Sequence, residues 1–343
     1  MTLFHVAAEF LLRSTALRIK TMKSFEIKSN DANQRLDKFI RKSVPNLPQA
    51  LMYKYIRIKR IKVNSKRAEI STMLRIGDKV DMYINDEFFV KPETRYDFTG
   101  ASKNIDIIYE DENIVLLNKK TGLLCHPDDK EYVDTLITRL KRYLYDKGEY
   151  RPDDENSFTP ALVNRIDRNT GGIVIAAKNA ESLRIMNAQM KKRNLRKFYL
   201  CVVHGLLERD NGLLEGYLTK DEKKNLVKVT KNKTDGAKEI RTKYKTVSRD
   251  FGKDLSLVEV ELLTGRTHQI RAHFASIGHP LLGDGKYGTN KLNKDFGYKK
   301  QFLYSYKLIF NFDDEAGILT YLNGRCFEVK DVWFVREFNN QTL

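Results

Sequence analysis

The pattern that most constrains the fold is a series of short apolar segments after residue 160. Eight of them have the length and β-branched character of strands, and two long helical segments, near 180–192 and 267–277, lie among them. Because helices do not alternate with these strands, the pattern predicts an α+β fold with a largely antiparallel mixed β-sheet, not a doubly wound parallel one. The predicted strands lie near 161–166, 173–177, 198–203, 225–229, 240–248, 256–263, 303–311 and 318–322.

The same region begins with a predicted hairpin and a helix. Residues 105–109 and 114–117 are largely apolar and flank the polar segment 110–113, which is typical of two strands joined by a turn. A helix is predicted near 134–145, because leucines recur there on one helical stripe. We therefore expect one large domain over residues 105–338.

Residues 25–85 have a different pattern, which predicts a separate small α+β unit. Apolar residues recur at helical spacing up to Pro45, and a second helix begins near Pro48. Short strands are predicted at 61–63 and 80–84, where apolar and polar side chains alternate.

The charge of this small unit favours a polyanionic partner. Residues 35–67 hold eleven Lys or Arg and one acid, Asp37, and the whole chain has a formal charge of +17. A surface that is merely soluble mixes both signs, so the local imbalance points towards nucleic acid. A solvated helix face in a generally Lys-rich protein is the alternative.

Two segments are expected to lie outside the packed domains. In residues 1–24, the apolar stretch 6–12 is followed by basic residues, whereas a secretory signal carries its charge first. An organellar leader or a true start near Met22 are the alternatives, and we expect a disordered, protease-sensitive extension. Residues 86–104 show little periodicity and are predicted to be a linker.

The cysteines and the apolar runs argue against several protein classes. Cys125, Cys201 and Cys326 are far apart, odd in number and form no C-x-x-C pair. This pattern argues against a disulfide framework or a zinc ribbon and favours a reducing compartment such as the cytoplasm. No stretch of 18 apolar residues occurs in the sequence, so no membrane span is predicted.

The first segment that could carry chemistry is a polar turn between two apolar strands, residues 164–172. Asp167 lies there between Arg165 and Arg168, ahead of two glycines. Neighbouring cations keep a carboxylate ionised, and an ionised carboxylate can act as a nucleophile or a base. An aspartate that only forms an Asx-turn is the alternative.

The second segment, residues 264–273, opens a short helix crowded with hydrogen-bond donors, an arrangement that suits anionic ligands. A metal site is not predicted, because the spacing of His268 and His273 takes them off a common helical face. Residues 278–288 form a glycine-rich loop, but it lacks the Gly-Lys-Ser/Thr ending of a nucleotide-binding loop.

The third segment, residues 197–205, is a predicted strand that follows a basic stretch. Residues 184–197 carry six Lys or Arg and no acid. Tyr199 in this strand could belong to the core or stack on a base, and the core is the usual place for a strand tyrosine.

Together these segments resemble the RluA-type family of pseudouridine synthases. Residues 164–172 are similar to the family's His-Arg-Leu-Asp-Arg-Asp-Thr-Ser-Gly motif, which places Asp167 on the catalytic aspartate. Residues 265–273 resemble Gly-Arg-Thr-His-Gln-Ile-Arg-Val-His, which places Arg271 on the arginine that pairs with that aspartate. Tyr199 falls on the tyrosine that packs against the target base.

The resemblance extends over residues 35–335. Residues 118–126 are similar to the family's opening Asn-Lys-Pro-x-Gly-Leu-x-x-His, and residues 35–84 resemble an S4 RNA-binding domain. It implies the pseudouridine synthase fold and isomerisation of uridine in structured RNA. The sequence shows no cofactor motif and no metal site, and because nothing in it demands an oligomer, a monomer without cofactor or metal is expected. The stretch 53–67 looks most like the RluC and RluD branch, which acts on large-subunit (23S) ribosomal RNA, and transfer RNA stays an alternative.

The residues expected to contact RNA follow from the same resemblance and from the charge pattern. In the larger domain they are His126, Asn164, Arg165, Arg168, Thr170, Lys197, Arg266, His268 and Gln269. In the small unit they are Lys54, Arg57, Lys59, Arg60 and Lys62. Asp167 is expected either to attack the substrate covalently or to take a ribose proton, and both routes stay open.

The chain departs from the family pattern at four positions. Asn164 replaces a histidine, Asn169 an aspartate, Gly171 a serine and Lys120 a proline. Asn164 matters most, because the family histidine lies beside the catalytic aspartate. The alternatives to a synthase are a non-catalytic RNA-binding or ribosome-assembly factor, and a glycosidase or nucleosidase, which normally needs two positioned acids.

Overall fold

The computed structural model describes residues 22–90, 96–221, 226–288, 297–298, 300–313 and 315–343. They divide into two compact units. The first takes in residues 22–90 together with 151–159, and the second takes in 96–150 and the described residues from 160 onward. No helix in these described ranges is both long and apolar enough to cross a membrane.

The first unit has two helices against one small antiparallel sheet. The sheet order is β1-β4-β2-β3. Its helices pack through a buried core that includes Leu36, Phe39, Ile56 and Met82. The elements are β1 (Met22–Glu26), α1 (Leu36–Ser43), α2 (Gln49–Arg57), β2 (Ile61–Val63), β3 (Lys66–Arg67), β4 (Lys79–Tyr83) and a 3-10 turn (Asp86–Phe89).

Strand β1 begins inside the segment predicted to be a disordered extension. Residues 22–24 pair with β4, so that prediction ends three residues too late. The rest of the predicted extension, residues 1–21, lies outside the described residues.

A segment distant in sequence completes the first unit. Asp31 is fully buried and accepts hydrogen bonds from Ser157 Oγ at 2.6 Å and Asn156 Nδ2 at 2.8 Å. Gln34 Nε2 also donates to Ser157 Oγ at 2.9 Å. A buried carboxylate needs such donors, so residues 151–159 are an integral part of this unit.

The second unit is built on a large mixed sheet whose described strands follow the order β11-β10-β12-β13-β9-β14-β8-β6-β5, with β7 beside β8 and β15 beside β14. Among the described strands only the short contact between β14 and β8 is parallel, which confirms the predicted largely antiparallel α+β fold. The strands are β5 (Ile107–Glu110), β6 (Ile114–Lys119), β7 (Ala161–Leu162), β8 (Gly171–Ala177), β9 (Leu195–His204), β10 (Asn211–Asp221), β11 (Leu226–Thr230), β12 (Lys238–Asp250), β13 (Leu255–Leu262), β14 (Leu303–Phe310) and β15 (Cys326–Glu328).

Four helices and a 3-10 turn accompany this sheet in the described residues. Helix α4 (Ala180–Lys192) coincides with its prediction, and α5 (Gln269–Ser276) is slightly shorter than predicted. The remaining two are α3, close to its predicted place, and the unpredicted C-terminal α6. The elements are α3 (Leu136–Asp146), α4 (Ala180–Lys192), α5 (Gln269–Ser276), a 3-10 turn (Gly317–Leu322) and α6 (Trp333–Asn339).

The core lies on both faces of β6 and β8. On one face Ile173 and Ile175 pack with Met186 of α4. On the other face Val174 packs with Leu140 of α3. Because both faces are covered, these strands read as continuous apolar runs, and the polar turn before β8 is held at a rigid strand end.

Three predictions fail locally. The segment 318–322 is a 3-10 turn, not a strand, because the buried Leu319 and Leu322 are three residues apart, the period of that helix. Strand β10 was not predicted, since Gly212 and Gly216 interrupt its apolar alternation. The strand predicted at 161–166 is confined to Ala161–Leu162.

The predicted linker 86–104 is largely packed structure. Phe98 is buried and its ring stacks on Tyr96 with centroids 5.2 Å apart. Phe98 belongs to the core cluster of the second unit around Leu136 and Leu140, and Tyr96 packs against this cluster. At the other end, Phe88 and Phe89 pack on the core of the first unit, and residues 91–95 lie outside the described residues.

Candidate active site

Asp167 lies in a tight turn just before β8. The Thr170 N–H donates to the Asp167 carbonyl oxygen at 3.0 Å and closes the turn. The Asp167 side chain is 26% exposed, so a ligand can reach it while the protein covers most of its surface. Thr170 was predicted to contact RNA, but it is buried, and its Oγ accepts from Gln301 Nε2 at 3.3 Å.

The two glycines after the turn allow β8 to approach β14 closely. Gly172 has φ +106°, and a Cβ there would lie 2.1 Å from the Ser305 carbonyl oxygen, so no other residue fits. A Cβ on Gly171 would meet the Tyr304 ring at 2.5 Å. The ring of Tyr304 therefore explains why glycine stands where the RluA-type motif has serine.

Arg271 connects Asp167 to a second carboxylate. Its Nη1 donates to Asp167 Oδ2 at 3.0 Å, while Nε and Nη2 donate to the two oxygens of Asp284, each at 2.7 Å. The Arg271 side chain is 6% exposed and the Asp284 side chain is fully buried. Burial opposes the charge on Asp284, but the hydrogen bonds from Arg271 keep the pKa of this carboxyl below its ordinary value.

Asp284 was not among the predicted site residues. It lies in the glycine-rich segment 278–288, and it also accepts backbone N–H bonds from Lys286 and Tyr287. A bidentate carboxylate fixes the plane of the guanidinium, so Asp284 decides how Arg271 presents its third donor to Asp167. The bidentate contact joins residues 13 positions apart, and no local sequence pattern predicts it.

Tyr199 is buried in the middle of the sheet. It lies on β9, opposite Val260 of β13 and Ser305 of β14. Burial raises the pKa of Tyr199 to about 12, with a smaller increase from the nearby Asp167 charge. The phenol is therefore neutral at physiological pH and keeps its hydroxyl proton.

His268 reaches Asp167 from the start of α5. Its Nε2 is 3.7 Å from Asp167 Oδ2, and its Nδ1 is 2.9 Å from Tyr287 Oη. Burial lowers the pKa of His268, which favours the neutral ring. Tyr287 Oη accepts the Val227 N–H at 3.0 Å, and Nδ1 offers an acceptor for the Tyr287 proton. When Tyr287 donates to Nδ1, the proton of the neutral ring is on Nε2, the nitrogen nearer Asp167.

The site thus contains Asp167 in the turn before β8, Arg271 on α5 and the buried Tyr199 on β9. Comparisons with known proteins identify the family. The profile of the family described as RNA pseudouridylate synthase matches residues 113–276. An uncharacterised RNA pseudouridine synthase of Mycoplasma genitalium is 33% identical over 290 residues, which cover 83% of this chain and 88% of that protein. The chain belongs to the RNA pseudouridylate synthase family.

Other relatives and solved structures agree with this assignment. A ribosomal large subunit pseudouridine synthase C of Rickettsia bellii is 34% identical over 75% of this chain and 84% of that protein. The protein of the same name from Vibrio cholerae is 28% identical over 85% and 90%. The solved structure of human RNA pseudouridylate synthase domain containing 1 shares the fold, with a TM-score of 0.51 and 21% identity over 70% of this chain and 85% of that one.

Asn164, which replaces the family histidine, has a structural task in this synthase. Its Oδ1 accepts the Ile175 N–H at 2.8 Å, and the Val163 N–H donates to the Ile175 carbonyl at 2.7 Å. The side chain therefore continues the β7–β8 ladder where the backbone of 163–166 leaves it. Its carbonyl oxygen is committed, and its amide NH₂ remains the group that can face a ligand.

Lys119 is a further residue of the synthase site that the predictions missed. It is fully buried at the end of β6, and its Nζ donates to the carbonyls of Leu123 at 2.7 Å, Arg168 at 3.0 Å and Lys120 at 3.2 Å. Burial lowers the pKa of Lys119 to about 8, and the Asp167 charge opposes this effect. Lys119 therefore ties the 119–123 loop to the turn that holds Asp167.

Several predicted RNA contacts of the synthase lie at least partly on the surface. Arg165, Arg168 and Arg266 are exposed. Lys197 is half-buried, which lowers its pKa, and its Nζ lies 3.7 Å from where a Cβ on Gly265 would be. His126 is half-buried with a lowered pKa, and its Nδ1 has no hydrogen-bond partner within the described residues.

Gln269 does not lie on this surface. It is 2% exposed, and its Oε1 accepts from Thr264 Oγ1 at 2.9 Å and from the Arg266 N–H at 3.1 Å. Its Nε2 donates to Thr242 Oγ1 and to the Arg241 carbonyl. The structure thus places Gln269 inside, where it ties the start of α5 to β12, although the sequence predicted a contact with RNA.

In the first unit the predicted basic residues share one stretch of α2 and β2. Lys54, Arg57 and Lys59 are exposed, while Arg60 and Lys62 are half-buried. The Arg60 guanidinium lies 5.6 Å from the centre of the Tyr55 ring, and Lys62 Nζ lies 5.4 Å from that of Tyr83. These aromatic contacts orient the cations while leaving their charge available.

Proposed function

We propose that this synthase isomerises uridine to pseudouridine in large-subunit ribosomal RNA, with Asp167 as the catalytic carboxylate. The observation that carries the proposal is the contact of 3.0 Å between Arg271 Nη1 and the partly exposed Asp167. The ribosomal target is supported by the names of the Vibrio cholerae and Rickettsia bellii relatives. Transfer RNA is the alternative that the closing experiment separates.

The reaction exchanges one glycosidic bond for another. The N1–C1′ bond breaks with its electron pair moving to the uracil, the base turns, and C5 bonds to C1′. The C5 proton is then lost and N1 gains a proton, so no oxidant or energy source is consumed. The protein has to hold the detached base, stabilise the ribose and manage these protons.

Asp167 is placed to act on the ribose. Arg271 keeps it charged and oriented, and the buried Asp284 keeps Arg271 in place. The carboxylate then either forms a covalent bond to the substrate or removes a ribose proton. The target nucleotide reaches it by leaving its stack, because a base within a helix is not accessible to such a turn.

Tyr199 and His268 have supporting roles in the proposed mechanism. The neutral phenol of Tyr199 packs against the uracil while the base turns. A phenol with a pKa near 12 is not an effective base at neutral pH, so we assign it stacking and not removal of the C5 proton. The Nε2 proton of His268 offers a neutral donor beside Asp167.

The setting of Asp284 weighs against a hydrolytic mechanism. Glycosidases normally use two carboxyl groups that both reach the substrate. Asp284 is the carboxylate next to Asp167 through Arg271, but its side chain is fully buried and bound to Arg271 and two backbone amides. It cannot receive water or a sugar without breaking the ion pair that orients Arg271.

We further propose that residues 25–85 act as an S4-type RNA-binding domain. The support is the run of exposed cations Lys54, Arg57 and Lys59, with Arg60 and Lys62 beside them. Such a surface adds affinity through phosphate contacts and carries no chemistry. We expect the synthase to work as a cytoplasmic monomer.

The proposal is tested by tritium release from RNA labelled at uridine C5. Wild-type protein and Asp167→Asn are compared on ribosomal and transfer RNA separately, and binding is measured by filter retention. We expect release by wild type on ribosomal RNA, no release by Asp167→Asn, and binding within about twofold for both, since the substitution removes no phosphate contact. Release by Asp167→Asn, or by wild type on transfer RNA alone, contradicts the proposal.

A further inference from the structure

A cavity of about 330 Å³ lies beside the catalytic turn, within the second unit. None of the steps above uses it. Its lining includes Lys120, Gly122 and Glu131 together with Arg139 and Arg168. Arg168 directly follows Asp167 in the chain, so whatever occupies this cavity is next to the reacting nucleotide.

Besides Arg139, two cations line this cavity and a third lies close to it. Lys120 is exposed at its rim, and Arg168 donates from Nε to the Gly122 carbonyl at 3.1 Å. Lys300 Nζ lies 3.3 Å from where a Cβ on Gly122 would be, so a third cation lies over the same glycine. Within the described part of the chain, neither Lys120 nor Lys300 forms an ion pair.

The carboxylates near the cavity have other partners. Asp134 accepts two hydrogen bonds from Arg139, at 2.7 and 2.6 Å, and the two form a closed pair. Glu131 accepts the backbone N–H groups of residues 133 and 134, and Asp128 accepts those of 130 and 131. These bonds shape the 128–134 loop and leave the charges of Lys120 and Lys300 available.

The backbone of the loop is also arranged to leave its cations facing outward. Lys119 takes up the carbonyls of Lys120, Leu123 and Arg168 from inside the protein. Gly122 has φ +97°, and its N–H donates to the Arg168 carbonyl at 2.8 Å. Acceptors are thus turned inward and cations outward, which favours an anion in the cavity.

We propose that this cavity binds a backbone phosphate of the RNA, adjacent to the target nucleotide, through Lys120, Arg168 and Lys300. The inference rests on the proposed function and deepens it by assigning a binding site beside Asp167. Lys120 is the informative residue, because the RluA-type motif has proline there and proline carries no charge. The contact is therefore an addition that this chain makes to the RNA path of its family.

The test measures how strongly RNA binding depends on salt. Each phosphate contact contributes about 0.7 to the slope of log K against log salt for single-stranded nucleic acid. With an in vitro transcript of large-subunit ribosomal RNA, Lys120→Gln should bind about fivefold more weakly and lower the slope by about 0.7. Adding Lys300→Gln should weaken binding further without a second fall in the slope, because the site neutralises a single phosphate, and Lys120→Arg should keep the wild-type slope.

Lys245→Gln is the matched control. Lys245 is an exposed lysine on β12, five strands away from β6 in the sheet, or roughly 24 Å at about 4.8 Å per strand. A slope for Lys120→Gln that equals the control slope overturns the proposal. So does a loss that appears in kcat and leaves KM and binding unchanged, because that result assigns Lys120 to the chemistry. Since binding is measured without turnover, failure of the catalytic proposal leaves this result readable.

Discussion

Replacing Asp284 by Asn is the most direct test of how the site is held together. The side chain keeps its size, and one oxygen can still accept the backbone N–H groups of Lys286 and Tyr287. The other oxygen becomes an NH₂ group that faces a donor of Arg271, where a bond of 2.7 Å now exists. The Arg271 side chain is 6% exposed, and among the described carboxylates it then pairs with Asp167 alone.

The expected loss of stability follows from this burial. Breaking a buried pair by removing one charge costs about 3–5 kcal/mol, because the remaining charge is left uncompensated. For a domain of this size that corresponds to a fall of about 10 °C in Tm. In addition, Arg271 is no longer fixed by a bidentate partner, and a misplacement of about 1 Å near the reacting atoms can lower kcat about a hundredfold.

Two measurements check this reasoning, calorimetric unfolding and tritium release from RNA labelled at uridine C5. Asp331→Asn is the matched control, since Asp331 pairs with Arg336 at 2.9 Å on the surface, with both side chains more than 70% exposed. An exposed pair contributes about 0–1 kcal/mol. If Asp284→Asn lowers Tm no more than the control does, Asp284 does not balance the buried charge of Arg271 and the argument is refuted.

Two further predictions concern histidines. Burial lowers the pKa of His273 to about 4. Between pH 6.5 and pH 4 the unfolded chain therefore binds a proton that the folded protein does not bind. Unfolding free energy should therefore fall by about 3 kcal/mol between pH 6.5 and pH 4, and denaturant titrations should show a smaller fall for His273→Gln. Tyr287→Phe keeps the ring 5.2 Å from Arg271 but removes the hydroxyl that contacts His268 Nδ1. We expect kcat to fall about tenfold with KM unchanged. An unchanged kcat would remove His268 from the mechanism.

The elements that could be predicted from the sequence are those with local signals. Strands β6 and β8 are covered on both faces, so their apolar runs are continuous, and α4 has a buried stripe that ends at a basic C-terminus. Strand β10 could not be predicted, because Gly212 makes room for the Tyr244 ring, which would meet a Cβ at 2.7 Å. Its place in the sheet comes from pairing with β11 and β12 on its two sides.

The site was predictable to a different extent. Asp167 and Arg271 are 104 residues apart, and no periodicity joins them; the resemblance to a family supplied the pairing. Lys119 and Asp284 were missed, because charged residues in a sequence look like surface residues whether or not they are buried. Gln269 was wrongly predicted to contact RNA, because a polar side chain was expected at the surface. In the structure its amide has hydrogen-bond partners inside the protein.

The segment 151–159 sets the order in which this protein can fold as it is made. Asp31 is buried within the first unit, yet two of its donors, Asn156 and Ser157, are more than 120 residues later in the chain. After residue 90 the ribosome has to add 69 more residues to reach 159, which takes on the order of 3–14 s at about 5–20 residues per second. During that interval the first unit is incomplete, and the Asp31 carboxylate lacks these donors. The N-terminal unit therefore finishes folding only after part of the catalytic unit has been synthesised, although it is encoded first.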